Sequence, residues 1–160
     1  MRSELVEKAV SALRARGETM SFAESCTGGL LSSMCTALAG VSDVYIGSVI
    51  AYSNAVKENV LGVPATQLKS VGAVSVPVAK SMALGLRSLL KTTWTISITG
   101  IAGPGGGTPQ KPVGTVCFGV VGPGVERVVQ MQFTGSRSVI QQASADYALK
   151  LLLEEVGAST

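Results

Sequence analysis

Histidine is missing from all 160 residues. Its absence excludes histidine-assisted serine or cysteine nucleophiles, histidine-ligated metals and a histidine proton shuttle. Any general base must therefore be Lys, Tyr, Asp or Glu. Charge is scarce as well, at 14% against roughly 25% in an average globular protein. Cysteine stops at three, Cys26, Cys35 and Cys117. An odd number without CxxC spacing argues against a disulfide framework and a zinc site, and it fits a reducing compartment. Apolar runs are all short, because Gly, Pro, Ser or a charge interrupts each one before the roughly 18 residues that a spanning helix needs. The expectation is a soluble chain with no membrane partner. The opening MRSELVEKAV mixes charges with apolar positions, so it reads as an amphipathic helix and not as a signal peptide, which points to the cytoplasm. Lys and Arg outnumber Asp and Glu only 13 to 10, and the basic residues are scattered without the aromatic interleaving of single-strand binders. A nucleic-acid partner is not expected.

What the chain does have is core-forming material. Hydrophobic residues make up 46% and mean hydropathy is +0.41, which excludes intrinsic disorder. A length of 160 residues suits one globular domain with a single substantial core, expected to span 1–160. Ser3 caps a first helix in which Leu5, Val6, Ala9, Val10 and Leu13 share a face and Gly17 supplies the stop. Residues 19–23 read as a strand, 24–29 as a tight turn and 30–38 as a helix. Residues 44–52, rich in Val, Ile and Tyr, read as a second strand, and Ser53-Asn54 resembles a cap for the helical segment that carries Lys57 and Leu61. A short helix over 65–71 and a longer one from Pro77 to Leu90 follow. Residues 94–99 form a buried strand that runs into a glycine-rich loop. Residues 113–121 and 125–133 make an antiparallel hairpin about Gly122-Pro123-Gly124, and a last helix covers 138–156. Interleaved helices and strands predict an α/β fold, a three-layer α/β/α arrangement around a mixed, mostly parallel sheet that contains an antiparallel hairpin.

Three segments could carry chemistry. AESCTGG places polar residues between a strand and a helix, where backbone N–H groups are unpaired and negative charge is favoured. Ser25 or Cys26 there could attack a carbonyl while following N–H groups stabilise the oxyanion; an ordinary helix cap made by Ser25 or Thr27 explains the same residues. Tyr52 and Lys57 form the second constellation. In a chain without histidine, a partly desolvated Lys able to lose its proton, or to lower the pKa of a Tyr, is the natural activator of a serine, although a surface Lys beside a half-buried Tyr is the plainer reading. The third is the stretch from Thr99 to Gly114. It matches neither the P-loop nor the GxGxxG order, but its N–H groups could meet an anion with Lys111 adding charge; a flexible connection with Lys111 in solvent is the alternative.

Taken together, AESCTGG, AYSNAVK, LGV, GAVS, ITGIAGPGGGTPQKPVGTV and the Gly135-Ser136-Arg137 element resemble the C-terminal domain of the CinA family, the competence-damage-inducible proteins, over nearly the whole chain. The resemblance implies an amidohydrolase that converts nicotinamide mononucleotide to nicotinic acid mononucleotide and ammonia in pyridine nucleotide recycling. It implies no cofactor and no metal, a nucleotide as the small-molecule partner, and a homodimer. The molybdopterin-binding-like N-terminal domain of full CinA proteins has no counterpart in this sequence. Carried over by position, the resemblance makes Ser25 the nucleophile and Tyr52 with Lys57 its activating pair, with N–H groups at Thr27 and Gly28 as the oxyanion hole. Glu24, Thr99, Gly100, Gly103, Lys111 and Arg137 would face the nucleotide. One departure stands out: Gln141 occupies a position that is often Arg in the family. A serine amidohydrolase of another small amide and a non-catalytic nucleotide-binding module of the same fold are the alternative functions.

Without histidine or a close carboxylate cluster there is no evident set of ligands for a catalytic divalent ion. Amide hydrolysis by the purified chain is therefore expected to survive exhaustive chelation. A loss on chelation that zinc or magnesium restores would refute this.

Overall fold

Short apolar runs alternate with amphipathic stretches along the chain, and the computed structural model, which describes residues 3–158, turns each into a strand or a helix as the pattern requires. Positions 1, 2, 159 and 160 of the expected domain lie outside the described residues. The first helix, α1 (Glu4–Arg16), begins where the Ser3 hydroxyl accepts from the Val6 N–H and ends at Gly17, whose φ of 66° is left-handed. It buries Val6, Ala9, Val10 and Leu13, the face that the spacing defines.

Five strands follow: β1 (Met20–Glu24), β2 (Tyr45–Ile50), β3 (Trp94–Gly100), β4 (Thr115–Gly122) and β5 (Val125–Gln132). They form one sheet in the order β2-β1-β3-β4-β5. β1 pairs in parallel with both β2 and β3, and β4 pairs antiparallel with β3 and β5. Four of the five strands thus run the same way and β4 alone is reversed. β1 and β4 are buried along their whole length, whereas the edge strand β5 alternates between half-buried and exposed residues.

Alternation along β1 divides the core. Phe22 faces a cluster built with α1, α2 (Leu30–Thr36) and α6 (Arg137–Ala158), and Ala23 faces a smaller one with Leu61, Val78, Met82 and Leu86. Val78, Met82 and Leu86 belong to α5 (Val76–Leu90), so helices cover both faces of the sheet. The short helices α3 (Asn54–Asn59) and α4 (Ala65–Val71) lie in the connection from β2 to α5. From β1 the chain goes through α2 on one face to β2, and then through α5 on the other face to β3 on the far side of β1. The order of strands therefore reverses at β1, and the crevice beyond the carboxyl ends of β1 and β3 is the place where such sheets bind ligands. No helix among the described residues is long and apolar enough to cross a membrane.

Two boundaries differ from the sequence reading for a local reason. β4 starts at Thr115 and not at 113, because Gly114 has a φ of 93° that extended strand does not tolerate. β2 stops at Ile50, short of Tyr52: the Ala51 N–H still donates to the Glu24 carbonyl at 2.7 Å, and the chain then leaves the sheet to reach the Ser53 cap of α3.

Gly85 in α5 lies so close to the Leu61 carbonyl that an added Cβ would overlap it. Alanine normally gains about 1 kcal/mol over glycine within a helix, but overpacking against backbone costs roughly 1–3 kcal/mol. Gly85→Ala is expected to lower the urea midpoint with an unchanged denaturant slope. A raised midpoint would show that α5 does not seat against Leu61.

Candidate active site

The turn after β1 is organised from below. Glu24, the last residue of β1, is fully buried, and its carboxylate accepts from the N–H groups of Gly29 at 3.3 Å, Leu31 at 3.1 Å and Ser32 at 3.0 Å. The hydroxyls of Thr27 and Ser32 also donate to it. Five donors compensate the loss of solvent around this carboxylate, and they replace the side-chain cap that Gly29 cannot give to α2. The assignment of Glu24 to substrate contact is corrected accordingly: it lies beneath the pocket and its oxygens are already occupied by the turn.

Held this way, Ser25 donates its N–H to the Ile98 carbonyl of β3 at 2.9 Å. Its Oγ lies 2.9 Å from Lys57 Nζ. The Lys57 ammonium is almost wholly buried, with 1% exposure, and donates also to the carbonyls of Ala51 at 2.8 Å and Tyr52 at 3.2 Å. Burial pushes the Lys57 pKa below its ordinary value of 10.5. A neutral Lys57 would keep two N–H groups for the two carbonyls and present its lone pair to the Ser25 hydroxyl. Of the two nucleophile candidates, Cys26 is the less suited. Its thiol is buried and has its pKa pushed up to about 12, chiefly by desolvation, so it carries almost no thiolate near neutrality.

Tyr52 reaches Lys57 only through its main-chain carbonyl. Tyr52 is 62% exposed, and its phenol accepts from Arg137 Nη2 at 3.0 Å; among the described residues the phenol makes no hydrogen bond to Ser25 or Lys57. Of the activating pair that the resemblance implies, only Lys57 thus meets Ser25, while the Tyr52 phenol is hydrogen-bonded to Arg137. Arg137 Nη1 donates in turn to the Gly103 carbonyl at 2.8 Å.

A pocket of about 260 Å³ opens between these groups, near the lower end of small-molecule sites at about 300–1,000 Å³. It brings together Ser25, Tyr52, Lys57, Thr99, Gly100, Gly103 and Arg137. Glycine at position 100 is required by space, since a Cβ there would lie 2.7 Å from Val116 Cγ2 and 3.1 Å from Cys26 Sγ. Thr99 donates its hydroxyl to the Ala73 carbonyl at 2.9 Å, which ties the end of β3 to the segment before α5.

Two further expectations are corrected. Lys111 donates to the Val71 carbonyl at 2.6 Å, at the end of α4, and does not line the pocket. The Gly28 N–H is bonded to the Ser25 carbonyl at 3.0 Å, so Gly28 is not an open oxyanion donor, whereas the Thr27 N–H has no acceptor among the described residues. The sequence reading also missed Asn54, Ala73 and Val74, which line the pocket. All three had a signal, Asn54 in the AYSNAVK segment and Ala73 and Val74 in the GAVS segment, but only as parts of the resemblance and with no role attached. Gln141, noted only for not being Arg, donates to the Cys26 carbonyl at 2.9 Å. No group of three or more Cys, Asp or Glu that could hold a metal ion occurs among the described residues.

With this geometry in hand, comparison with known proteins is specific. The family model of the CinA C-terminal domain matches residues 2–156. A CinA-like protein of Anaeromyxobacter sp. (strain Fw109-5) is 50% identical over 94% of this chain and 37% of its own length. One from Nostoc sp. (strain PCC 7120) is 51% identical over 88% of this chain and 36% of its own. The chain therefore spans little more than a third of these relatives. Among solved structures, a CinA superfamily protein of Klebsiella pneumoniae 700603 superposes with a TM-score of 0.93 at 35% identity, covering 97% of both chains. The competence/damage inducible protein CihA of Agrobacterium tumefaciens gives 0.89 at 34% identity, covering 94% of this chain and 93% of its own.

All three cysteines are buried, with pKa values pushed up to about 12 for Cys26 and Cys35 and about 11 for Cys117. The native protein at pH 8 is expected to resist iodoacetamide and to label fully only in denaturant. Rapid labelling of native Cys26, read by mass spectrometry, would contradict its place behind Ser25.

Proposed function

The chain belongs to the CinA C-terminal domain family, and from that premise we propose that it is an amidohydrolase that deamidates nicotinamide mononucleotide. The observation that carries the reading is the buried Lys57 Nζ at 2.9 Å from Ser25 Oγ. An isolated serine is a poor nucleophile at neutral pH, and a desolvated amine at hydrogen-bond distance is the base it needs.

Neutral Lys57 takes the Ser25 proton as Oγ attacks the carboxamide carbon. The resulting oxyanion collapses with cleavage of the C–N bond, Lys57 returns the proton to the departing nitrogen, and ammonia leaves an acyl-serine. Water then adds with Lys57 again as proton acceptor, and nicotinic acid mononucleotide is released as Ser25 regains its proton. No metal enters any step. Arg137 is the exposed cation on the pocket wall and suits the nucleotide phosphate. An anion that displaced the Tyr52 phenol from Arg137 would free the ring to turn toward Ser25, a route by which Tyr52 would assist.

One observation favours a second reading, a serine amidohydrolase of another small amide. With Gln141 in place of Arg and Lys111 outside the pocket, Arg137 is left as its single exposed charged group. Ammonia release from nicotinamide mononucleotide, set beside nicotinamide riboside and a panel of simple amides, separates the two readings. Release from none of them would leave a non-catalytic nucleotide-binding module.

Ser25→Ala is expected to abolish ammonia release, and Lys57→Ala to reduce kcat by roughly a thousandfold, the range of a general base. Lys57→Arg should not rescue, because guanidinium stays protonated. Since burial lowers the Lys57 pKa and the neutral form is the active one, kcat/KM should rise with pH on a limb centred below 10.5 and level off above it. Tyr52→Phe should also lower turnover. Full activity in Lys57→Ala with folding intact would remove Lys57 from the mechanism.

A further inference from the structure

We propose that Gln141 is a positioning residue that orients the Cys26–Thr27 peptide so that its N–H serves the oxyanion formed on Ser25. The inference rests on the reading of Ser25 as the nucleophile.

The N–H groups of the turn can be accounted for one by one. Ser25 donates to Ile98, Gly28 to Ser25 and Leu30 to Thr27, while Gly29, Leu31 and Ser32 donate to the Glu24 carboxylate. Among the described residues this leaves the N–H groups of Cys26 and Thr27 with no acceptor in another residue, although the two residues are only 4% and 3% exposed; of the two, the Thr27 N–H is the one whose peptide carbonyl is held from outside the turn. Buried N–H groups rarely stay unpaired, and those that do call for a ligand or a role. The N–H of Thr27 and the carbonyl of Cys26 belong to one trans peptide unit, in which they point in opposite directions. Fixing the carbonyl therefore fixes the N–H.

Gln141 does the fixing. Its Nε2 donates to the Cys26 carbonyl at 2.9 Å from a half-buried position on α6, 115 residues further along the chain. A carbonyl without that donor would be free to rotate, and rotation of the peptide by half a turn would replace the N–H with a carbonyl oxygen, which repels an oxyanion. The residue touches no reacting atom. Its effect is on the transition state, so it should appear in kcat and leave KM alone.

The test uses the full chain and three variants, Gln141→Glu, Gln141→Leu and Gln141→Arg, each checked by circular dichroism for a native fold. Gln141→Glu has nearly the same shape but presents acceptors to a carbonyl, and Gln141→Leu removes the donor. Both should lose about a hundredfold in kcat on nicotinamide mononucleotide, the usual effect of losing one oxyanion donor, with KM changed less than threefold. Gln141→Arg should recover most of that loss. A second readout needs no amide substrate: phosphonylation of Ser25 by a small alkyl fluorophosphonate, which places a phosphoryl oxygen where the oxyanion would form, should slow in parallel. Unchanged kcat and phosphonylation in Gln141→Glu, or a loss confined to KM, would overturn the proposal while leaving the deamidase reading intact. Failure of the wild-type chain to act on nicotinamide mononucleotide would sink that reading alone, since the phosphonylation rates still decide the role of Gln141. If Gln141→Leu does not fold, the near-isosteric Gln141→Glu carries the decision.

Discussion

A carboxylate sealed from water is the constraint on which the end of the sheet depends. Glu24 collects five hydrogen bonds from the eight residues that follow it, so the turn from β1 to α2 wraps around its side chain. Leaving that carboxylate without partners would cost more than any one of its bonds is worth, and this asymmetry forces the turn into one shape. Ser25 is next in sequence to Glu24 and inherits that shape. Ser25 is thus held by a residue whose own side chain does not line the pocket.

Burial also sorts the ionisable groups around Ser25 by sign. Moving a charge out of water disfavours the charged form whichever charge it is, so the same desolvation that lowers the Lys57 pKa raises the Cys26 pKa to about 12. The amine becomes available as a proton acceptor while the neighbouring thiol is kept protonated. One environment therefore favours a neutral amine and a protonated thiol side by side. Arg137 and Tyr52 are exposed to solvent, which stabilises charge.

Topology explains why these pieces meet. The strand order reverses at β1, which opens a crevice beyond the ends of β1 and β3, and the crevice is lined from four separate stretches of chain. The turn after β1 brings Ser25, the exit of β2 brings Tyr52 and Lys57, the end of β3 brings Thr99 and Gly100, and the start of α6 brings Arg137. Close approach is possible because Gly100 has no side chain to hold Cys26 away.

The sequence by itself determined the elements. Helix caps, turn glycines and two-residue alternation are local signals, which is why α1, α5, the hairpin of β4 and β5, and the turn at AESCTGG were legible with ends only a residue or two from those observed. The absence of histidine left Lys, Tyr, Asp or Glu as possible bases, and the family resemblance pointed among them to Lys57 and Tyr52. Only the tertiary structure decided which side chains touch. It put the Lys57 amine on Ser25 and the Tyr52 phenol on Arg137, took Glu24 and Lys111 out of the pocket, and gave Gln141 a carbonyl to hold. Those outcomes depend on distances between segments as far apart as Ser25 and Lys57 or Cys26 and Gln141. No local pattern encodes such distances, because they arise only when the sheet is assembled and each buried polar group has found the partner that the packing leaves within reach.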